Sequence, residues 1–284
     1  MKPMSKLQAR ILLFVVALPL LLGMAMWNWA YHLPLAILAF GISALGAEET
    51  AALLRRKGLM VNPYLPSALG GLFPLLAYFE NAHWIVPEQT LIVVALFMVL
   101  IMVRQVFANT EENLQPVMGR VAGILFTLIY PGFFIYFLLK INSLPSSWLL
   151  MPLFLLSVYV NDAWAWLFGT VFGKNSPKPF LVSPSKSLVG FAGGALATFL
   201  VLILAWIFLP GSLLGHSLWP VFVLAAVLSI TTIVGDLFES SLKRSSAVKD
   251  SGTIIPGRGG VLDSIDSLLF SAPVFYLFLQ YGRF

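Results

Sequence analysis

The residues between Gly235 and Asp266 are of the types that handle phosphate. They read Gly235-Asp236-Leu237-Phe238-Glu239-Ser240-Ser241-Leu242-Lys243-Arg244, then Lys249-Asp250-Ser251-Gly252, then Ile255-Pro256-Gly257-Arg258-Gly259-Gly260-Val261-Leu262-Asp263-Ser264-Ile265-Asp266. Asp236, Glu239, Ser240 and Lys243 follow i, i+3, i+4, i+7 spacing and so share one face of a helix. Asp263 and Asp266 are i, i+3 and share a face at the start of another. The glycine-rich turn between them allows the two acidic faces to approach. With no histidine or cysteine nearby, Asp236, Asp263 and Asp266 suit a hard cation such as Mg²⁺, which takes oxygen ligands and keeps waters that substrate phosphates can replace. The plainer alternative pairs these acids with Lys243, Arg244, Lys249 and Arg258, and surface ion pairs of that kind are nearly neutral in energy. Three carboxylates at the ends of two apolar helices, among glycines and cations, favour a phosphate-and-metal site.

A second segment, Asn161 to Gly194, carries complementary chemistry. Asp162 sits in an aromatic, apolar helix (Val160-Asn161-Asp162-Ala163-Trp164-Ala165-Trp166), where a carboxylate is costly and faces a polar cavity or a partner. A loop follows with Gly173-Lys174 and Ser183-Pro184-Ser185-Lys186-Ser187, before Gly190 and Gly193-Gly194 open the next helix. Hydroxyls, lysine and free backbone N–H groups at a helix N-terminus form a ready anion site. Gly169/Gly173 and Gly190/Gly194 also fit the spacing of a close helix-packing face, and from this segment alone the two readings stand level.

Other chemistries are excluded. A GxxxxGK[ST] phosphate loop would need glycine where Phe168 stands, no GxGxxG follows a strand, and no HExxH occurs. The absence of cysteine removes disulfides, iron–sulfur clusters and thiolate zinc sites.

The elements that position these residues are membrane-spanning. Of 284 residues, 59% are hydrophobic and 10% charged, against about a quarter charged in an ordinary soluble domain. A span needs roughly 20 mainly apolar residues, which predicts an all-α polytopic membrane protein of about nine transmembrane helices. They lie near 9–28, 33–53, 64–80, 88–107, 118–139, 147–169, 188–209, 217–238 and 262–281. The first is expected to be retained, since Ile11 to Met26 lacks a cleavage pattern. Proline and glycine mark the gaps at Asn62-Pro63, Pro116, Pro145, Pro177 with Pro179 and Pro184, and Pro210-Gly211. With the N-terminus cytoplasmic, alternate loops collect 15 of the 17 basic residues, from Lys2, Lys6 and Arg10 through Arg55, Arg56, Lys57, Arg104, Arg120, Lys174, Lys178 and Lys186 to Lys243, Arg244, Lys249 and Arg258. Lys140 and Arg283 remain outside, and His32, His83 and His216 fall in outer loops. The polar stretch from Ala108-Asn109-Thr110-Glu111-Glu112 to Arg120 divides an N-terminal four-helix part (1–110) from a C-terminal five-helix part (111–284). Glu48 and Glu49, near the inner end of the second span, could line a lipid entrance or cap a helix, and the second reading is preferred.

The stretch Ser240-Ser241-Leu242-Lys243-Arg244 through Lys249-Asp250 and Pro256-Gly257 to Gly259-Gly260, Asp263 and Asp266 resembles the signature of phosphatidate cytidylyltransferases, also called CDP-diacylglycerol synthases. The upstream Gly235-Asp236-Leu237-Phe238-Glu239, Asp162, Gly173-Lys174 and the loop Ser183 to Ser187 are similar too, so the likeness covers most of residues 155–270. There are departures: Arg258 stands for the usual His or Pro, Ser264 for Arg or His, Ser267 for Gly or Ala, Ser187 for Thr, and Val189 for Glu.

The resemblance implies CTP and phosphatidic acid as substrates. It implies Mg²⁺ on Asp236, Asp263 and Asp266, with room for a second cation, and Lys243 and Arg244 as catalytic cations. Lys174, Ser183, Lys186, Ser187, Ser240, Lys249, Arg258, Asp162 and Glu239 are the expected substrate-binding residues. The nucleophile, a phosphate monoester, is already ionised near neutral pH, so no histidine base is required. An inner (plasma) membrane location with the active site facing the cytoplasm follows, with membrane lipids as neighbours and no nucleic-acid partner. Glycine-rich helix faces leave room for a homodimer. A cytidylyltransferase for another lipid phosphate, or a cation transporter using the intramembrane acids, is the competing reading. A CDP-alcohol phosphotransferase or prenyltransferase is not, because neither the DG…AR…D…D pattern nor an NDxxD occurs.

Overall fold

The computed structural model describes residues 13–62, 64–107, 110–209 and 213–282. The basic residues Lys2, Lys6, Arg10 and Arg283, the start of the first expected span, Pro63, Ala108-Asn109 and Pro210-Gly211 lie outside them. Among the described residues the regular structure is helical, apart from one isolated bridge between Ile255 and Gly259.

We number the helices α1 (Leu18–Met26), α2 (Leu33–Arg56), α3 (Leu65–Gly70), α4 (Leu72–Asn81), α5 (Pro87–Val106), α6 (Val117–Ser143), α7 (Ser147–Phe172), α8 (Leu188–Phe208), α9 (Leu218–Ser245) and α10 (Leu262–Tyr281). Seven helices, α2 and α5 to α10, are long and apolar enough to cross a membrane. The spans expected near 9–28 and 64–80 correspond to shorter pieces: the apolar helix Val15–Met26, and α3 with α4.

The break between α3 and α4 combines a local cause with a contact from another helix. Pro74 has no N–H to donate to the Gly70 carbonyl four residues back. The Ser43 hydroxyl of α2 donates to that carbonyl instead, at 2.6 Å. Gly70 makes the approach possible, since a Cβ there would lie 2.8 Å from the Ser43 carbonyl oxygen. Pro131 similarly interrupts α6, which widens to a π turn over Leu128–Phe133.

Two helix pairs carry the candidate site residues named above. α7 and α8 close on each other through glycine: a Cβ at Gly190 would lie 2.8 Å from the Ala165 carbonyl oxygen, and one at Gly194 2.8 Å from that of Asn161. The packing reading of this glycine pattern is therefore realised. Asn161, buried in the seam, donates through Nδ2 to Thr198 Oγ1 at 2.8 Å. α9 and α10 meet in the same manner at Gly235, where a Cβ would lie 2.5 Å from the Asp266 carbonyl oxygen. Behind them Tyr130 packs edge to face on Phe238 and Phe238 is tilted against Phe270, with ring centroids 5.2 Å apart in both pairs. Such pairs add about 0.5–1.5 kcal/mol each beyond burial.

α2 ties the first third of the chain into this arrangement. Gly46 packs against Pro131, Ile265 and Leu262, and Ser246 Oγ donates to the Leu53 carbonyl at 3.1 Å. At the opposite end of the bundle, buried Glu80 of α4 pairs with Lys140 at 2.9 Å and accepts from Tyr136 Oη and Thr90 Oγ1.

Candidate active site

The site is built where the C-terminal end of α9 meets the N-terminal end of α10. Lys243, one turn after Glu239, forms an ion pair with it and donates to Asp263 Oδ1 at 2.6 Å. One ammonium thus bridges the two acidic faces. Glu239 is fully buried and Asp263 nearly so, and a carboxylate so placed needs a cation beside it.

Asp263 has a second task. Its Oδ2 accepts from Gly260 N (2.7 Å), Ser251 N (2.8 Å) and Ser251 Oγ (3.0 Å). Glu49 of α2 does the same from the other side: Oε1 accepts from Val261 N (2.9 Å), and Oε2 from Leu262 N (2.8 Å) and Ser251 Oγ (2.9 Å). The first amides of a helix have no acceptor within it and carry the positive end of its dipole, so two carboxylates are well placed there. Glu49 does cap a helix, and that helix is α10, at the far end of the sequence. Glu48 instead pairs with Arg55 at 2.5 Å. Nothing in the local sequence around Glu49 marks its partner, because the contact is made only when α2 packs against α10.

α7, α8 and their connection close the remaining side. Lys186 pairs with Asp236 of α9. Burial pushes the Lys186 ammonium below the ordinary lysine range, opposed by the Asp266 and Asp162 carboxylates. Asp162 Oδ1 accepts from Ser267 Oγ at 3.3 Å, linking α7 to α10. Ser267, one of the departures from the family pattern, therefore makes a direct connection to the site. Asp266, buried, accepts from Ser267 N at 2.7 Å.

The structure thus gathers Asp162, Lys186, Asp236, Glu239, Lys243, Asp263 and Asp266. Arg258 is exposed but within electrostatic reach of Asp162 and Asp266. The other expected residues are placed differently. Ser187 is buried as the N-cap of α8, accepting from Gly190 N at 3.2 Å, so its hydroxyl is engaged by the helix and pressed against Gly173. Ser183 holds the turn before Lys186, its carbonyl accepting from Lys186 N. Ser240 is buried in α9. Arg244 donates to the Val248 carbonyl at 3.2 Å, and Arg244, Lys174 and Lys249 are exposed with no carboxylate paired to them among the described residues.

For a cation, the donor chemistry is of the right kind but no cage is preformed. Among the described residues no three His, Cys, Asp or Glu side chains converge as a ready metal site. Asp236 Oδ1, Asp162 Oδ2 and Asp266 Oδ2 accept no hydrogen bond among the described residues, whereas four donors occupy Asp263. Open carboxylate oxygens fit Mg²⁺, which is commonly held by one or two carboxylates with waters and substrate phosphates. Of the three expected ligands, Asp263 is the one whose lone pairs the fold already uses.

The fold and site define an α-helical polytopic membrane protein with buried carboxylates paired to lysines at one end of the bundle. Residues 8–282 match the cytidylyltransferase family, and the chain belongs to it. It is 30% identical over 271 residues to a phosphatidate cytidylyltransferase of Staphylococcus saprophyticus, covering 95% of this chain and 96% of that one. It is 37% identical over 158 residues to one of Aquifex aeolicus, covering 56% and 57% of the two chains. It is also 38% identical over 179 residues to one of Thermotoga maritima, covering 59% and 62%.

Proposed function

We propose that this protein is a phosphatidate cytidylyltransferase, joining CTP and phosphatidic acid to give CDP-diacylglycerol and pyrophosphate in phospholipid synthesis. The observation that carries this is Lys243 between Glu239 and Asp263, with Lys186 on Asp236: cations held by carboxylates, at the end of a membrane bundle, where a lipid phosphate and a nucleotide can meet.

In the reaction a phosphate oxygen of phosphatidic acid attacks the α-phosphorus of CTP. The bond from that phosphorus to the bridging α–β oxygen breaks, and pyrophosphate leaves with the electron pair. The attacking oxygen carries no proton that must be removed, which agrees with a site built without histidine. Catalysis then lies in holding two polyanions together and neutralising charge on the leaving group. Lys186, Lys243 and Arg258 supply that charge, with Arg244, Lys249 and Lys174 at the rim drawing the triphosphate in. Lys186, whose charge burial disfavours and the neighbouring carboxylates favour, would be further stabilised by an incoming anion.

Mg²⁺ would be held by Asp236 and Asp266, with Asp263 the least available of the three carboxylates. When bound it supplies charge neutralisation to the phosphates. Asp162, linked through Ser267, lies beside Asp266 and would serve a second cation. The N-terminus and the site face the cytoplasm of the plasma membrane, with nine spans in all, and the acyl chains stay in the bilayer.

The test is cytidylyl transfer from labelled CTP to phosphatidic acid by purified protein, with Mg²⁺ and with EDTA, the product being identified by mass spectrometry. Mg²⁺-dependent CDP-diacylglycerol is the expected result. Folded protein that binds CTP but forms only the CDP derivative of another lipid phosphate would reassign the substrate. Ion flux independent of CTP would overturn the reading.

A further inference from the structure

A second anion-binding arrangement lies away from the carboxylate cluster. The C-terminal end of α5, the N-terminal end of α6 and the loop after α2 border an open cavity of about 430 Å³, lined by Arg104, Arg120, Gln105, Asn62 and the apolar Met60 and Phe107 among others. That volume falls within the roughly 300–1,000 Å³ of small-molecule sites. None of the residues assigned to the active site lines it. It belongs to the same end of the bundle: the loop that follows Arg56 packs on α6 through Leu59 against Gly119 and Val61 against Gly123, and Glu49 and Leu53 near that end of α2 touch the start of α10 and the end of α9.

The cavity is constructed for negative charge. Gln105 is buried; its Nε2 donates to the Ile101 carbonyl at 3.1 Å, and its Oε1 accepts from Arg120 Nη1 at 3.1 Å. A fixed amide thereby orients one guanidinium and leaves its other N–H groups to point elsewhere. Asn62 Oδ1 is spent on Tyr64 N and Leu65 N, so the side-chain amide presents its NH₂ as a donor. Among the described residues no carboxylate lines the cavity and no ion pair is made by Arg104 or Arg120. Two guanidinium groups lining one cavity beside apolar side chains suit an anion with several acceptor oxygens.

The rim identifies the kind of anion. Met60 is 61% exposed and Phe107 72%, and the neighbouring Val106 and Met118 are 77% and 86% exposed. A free phosphate makes no use of such a surface, whereas a lipid places its headgroup on the arginines and its chains along the apolar side chains. Basic pockets between transmembrane helices are headgroup sites in just this sense. We infer that the Arg104–Arg120 cavity binds the phosphate headgroup of an anionic phospholipid, separately from the substrate lipid at the carboxylate cluster.

The test uses full-length purified protein titrated with short-chain phosphatidylglycerol, with the matching phosphatidylcholine, and with inorganic phosphate, reading the thermal unfolding midpoint. Phosphatidylglycerol is expected to raise the midpoint, with phosphatidylcholine and phosphate inert. Arg104→Gln and Arg120→Gln should each weaken its apparent affinity about fivefold, while stabilisation by CTP is unchanged. That CTP response shows the variants to be folded, and Arg104, being exposed, can be replaced without disturbing the core. Equal affinity in wild type and both variants would overturn the site. A shift with inorganic phosphate that the same variants abolish would overturn the lipid assignment in favour of a free anion.

Discussion

Glu49 of α2 and Asp263 of α10 both lie within hydrogen-bond distance of the single hydroxyl of Ser251, at 2.9 and 3.0 Å. Between them they also accept the amides of Ser251, Gly260, Val261 and Leu262. The glycine-rich loop is thus clamped at the start of α10 by one carboxylate from each end of the sequence.

Removing the clamp from the α2 side should loosen the loop without touching substrate. Glu49→Ala leaves two buried amides without acceptors, at about 1–3 kcal/mol each. We expect turnover to fall at least about tenfold (1.4 kcal/mol per decade) and hydrogen exchange to quicken across 251–262, with Glu49→Gln intermediate. Wild-type exchange in Glu49→Ala would count against the clamp.

Asp263 and Asp266 should separate in their effects on stability. Asp263→Asn turns an NH₂ toward donors that Asp263 now satisfies, so both the unfolding midpoint and activity should drop, with stability lower by about 1–3 kcal/mol. Asp266→Asn removes a buried charge that, among the described residues, accepts a hydrogen bond only from its neighbour's amide. It should lose activity while unfolding at or above the wild-type midpoint. Thermal melts beside the transfer assay decide this, and full turnover in Asp266→Asn would sink its assignment to the cation.

Gly235 sets the distance between the two acidic faces. A methyl at this position meets the Asp266 backbone, which cannot swing aside as a side chain would. Gly235→Ala is expected to cost about 1–3 kcal/mol by overpacking and to reduce turnover more than CTP affinity. Unchanged turnover would show that the separation of α9 and α10 is not critical.

Glu80 and Lys140 form a buried pair far from the chemistry. Glu80→Ala strands Lys140 and should destabilise by about 3–5 kcal/mol, with the surviving folded fraction showing normal kcat. Replacing both residues with apolar ones of similar size should restore most of the stability, and denaturation of the single and double variants gives the comparison.

Much of this protein is decided locally and so is readable in its sequence. Long apolar runs commit α2 and α5 to α10 to lipid, because each satisfies its own backbone hydrogen bonds. The i, i+3, i+4, i+7 spacing of Asp236, Glu239, Ser240 and Lys243 puts them on one face whatever the helix packs against. The family signature is equally a property of the string. Tertiary structure decided what depends on which helix meets which. The span near 64–80 is divided because Ser43 from another helix takes the carbonyl that Pro74 cannot serve. Ser187 closes the end of α8, Asp263 is consumed by the loop it anchors, and Glu49 reaches that loop from the first third of the chain. A carboxylate's partners lie within about 3 Å in space and at any separation in sequence, so spacing names the candidates and packing assigns their work.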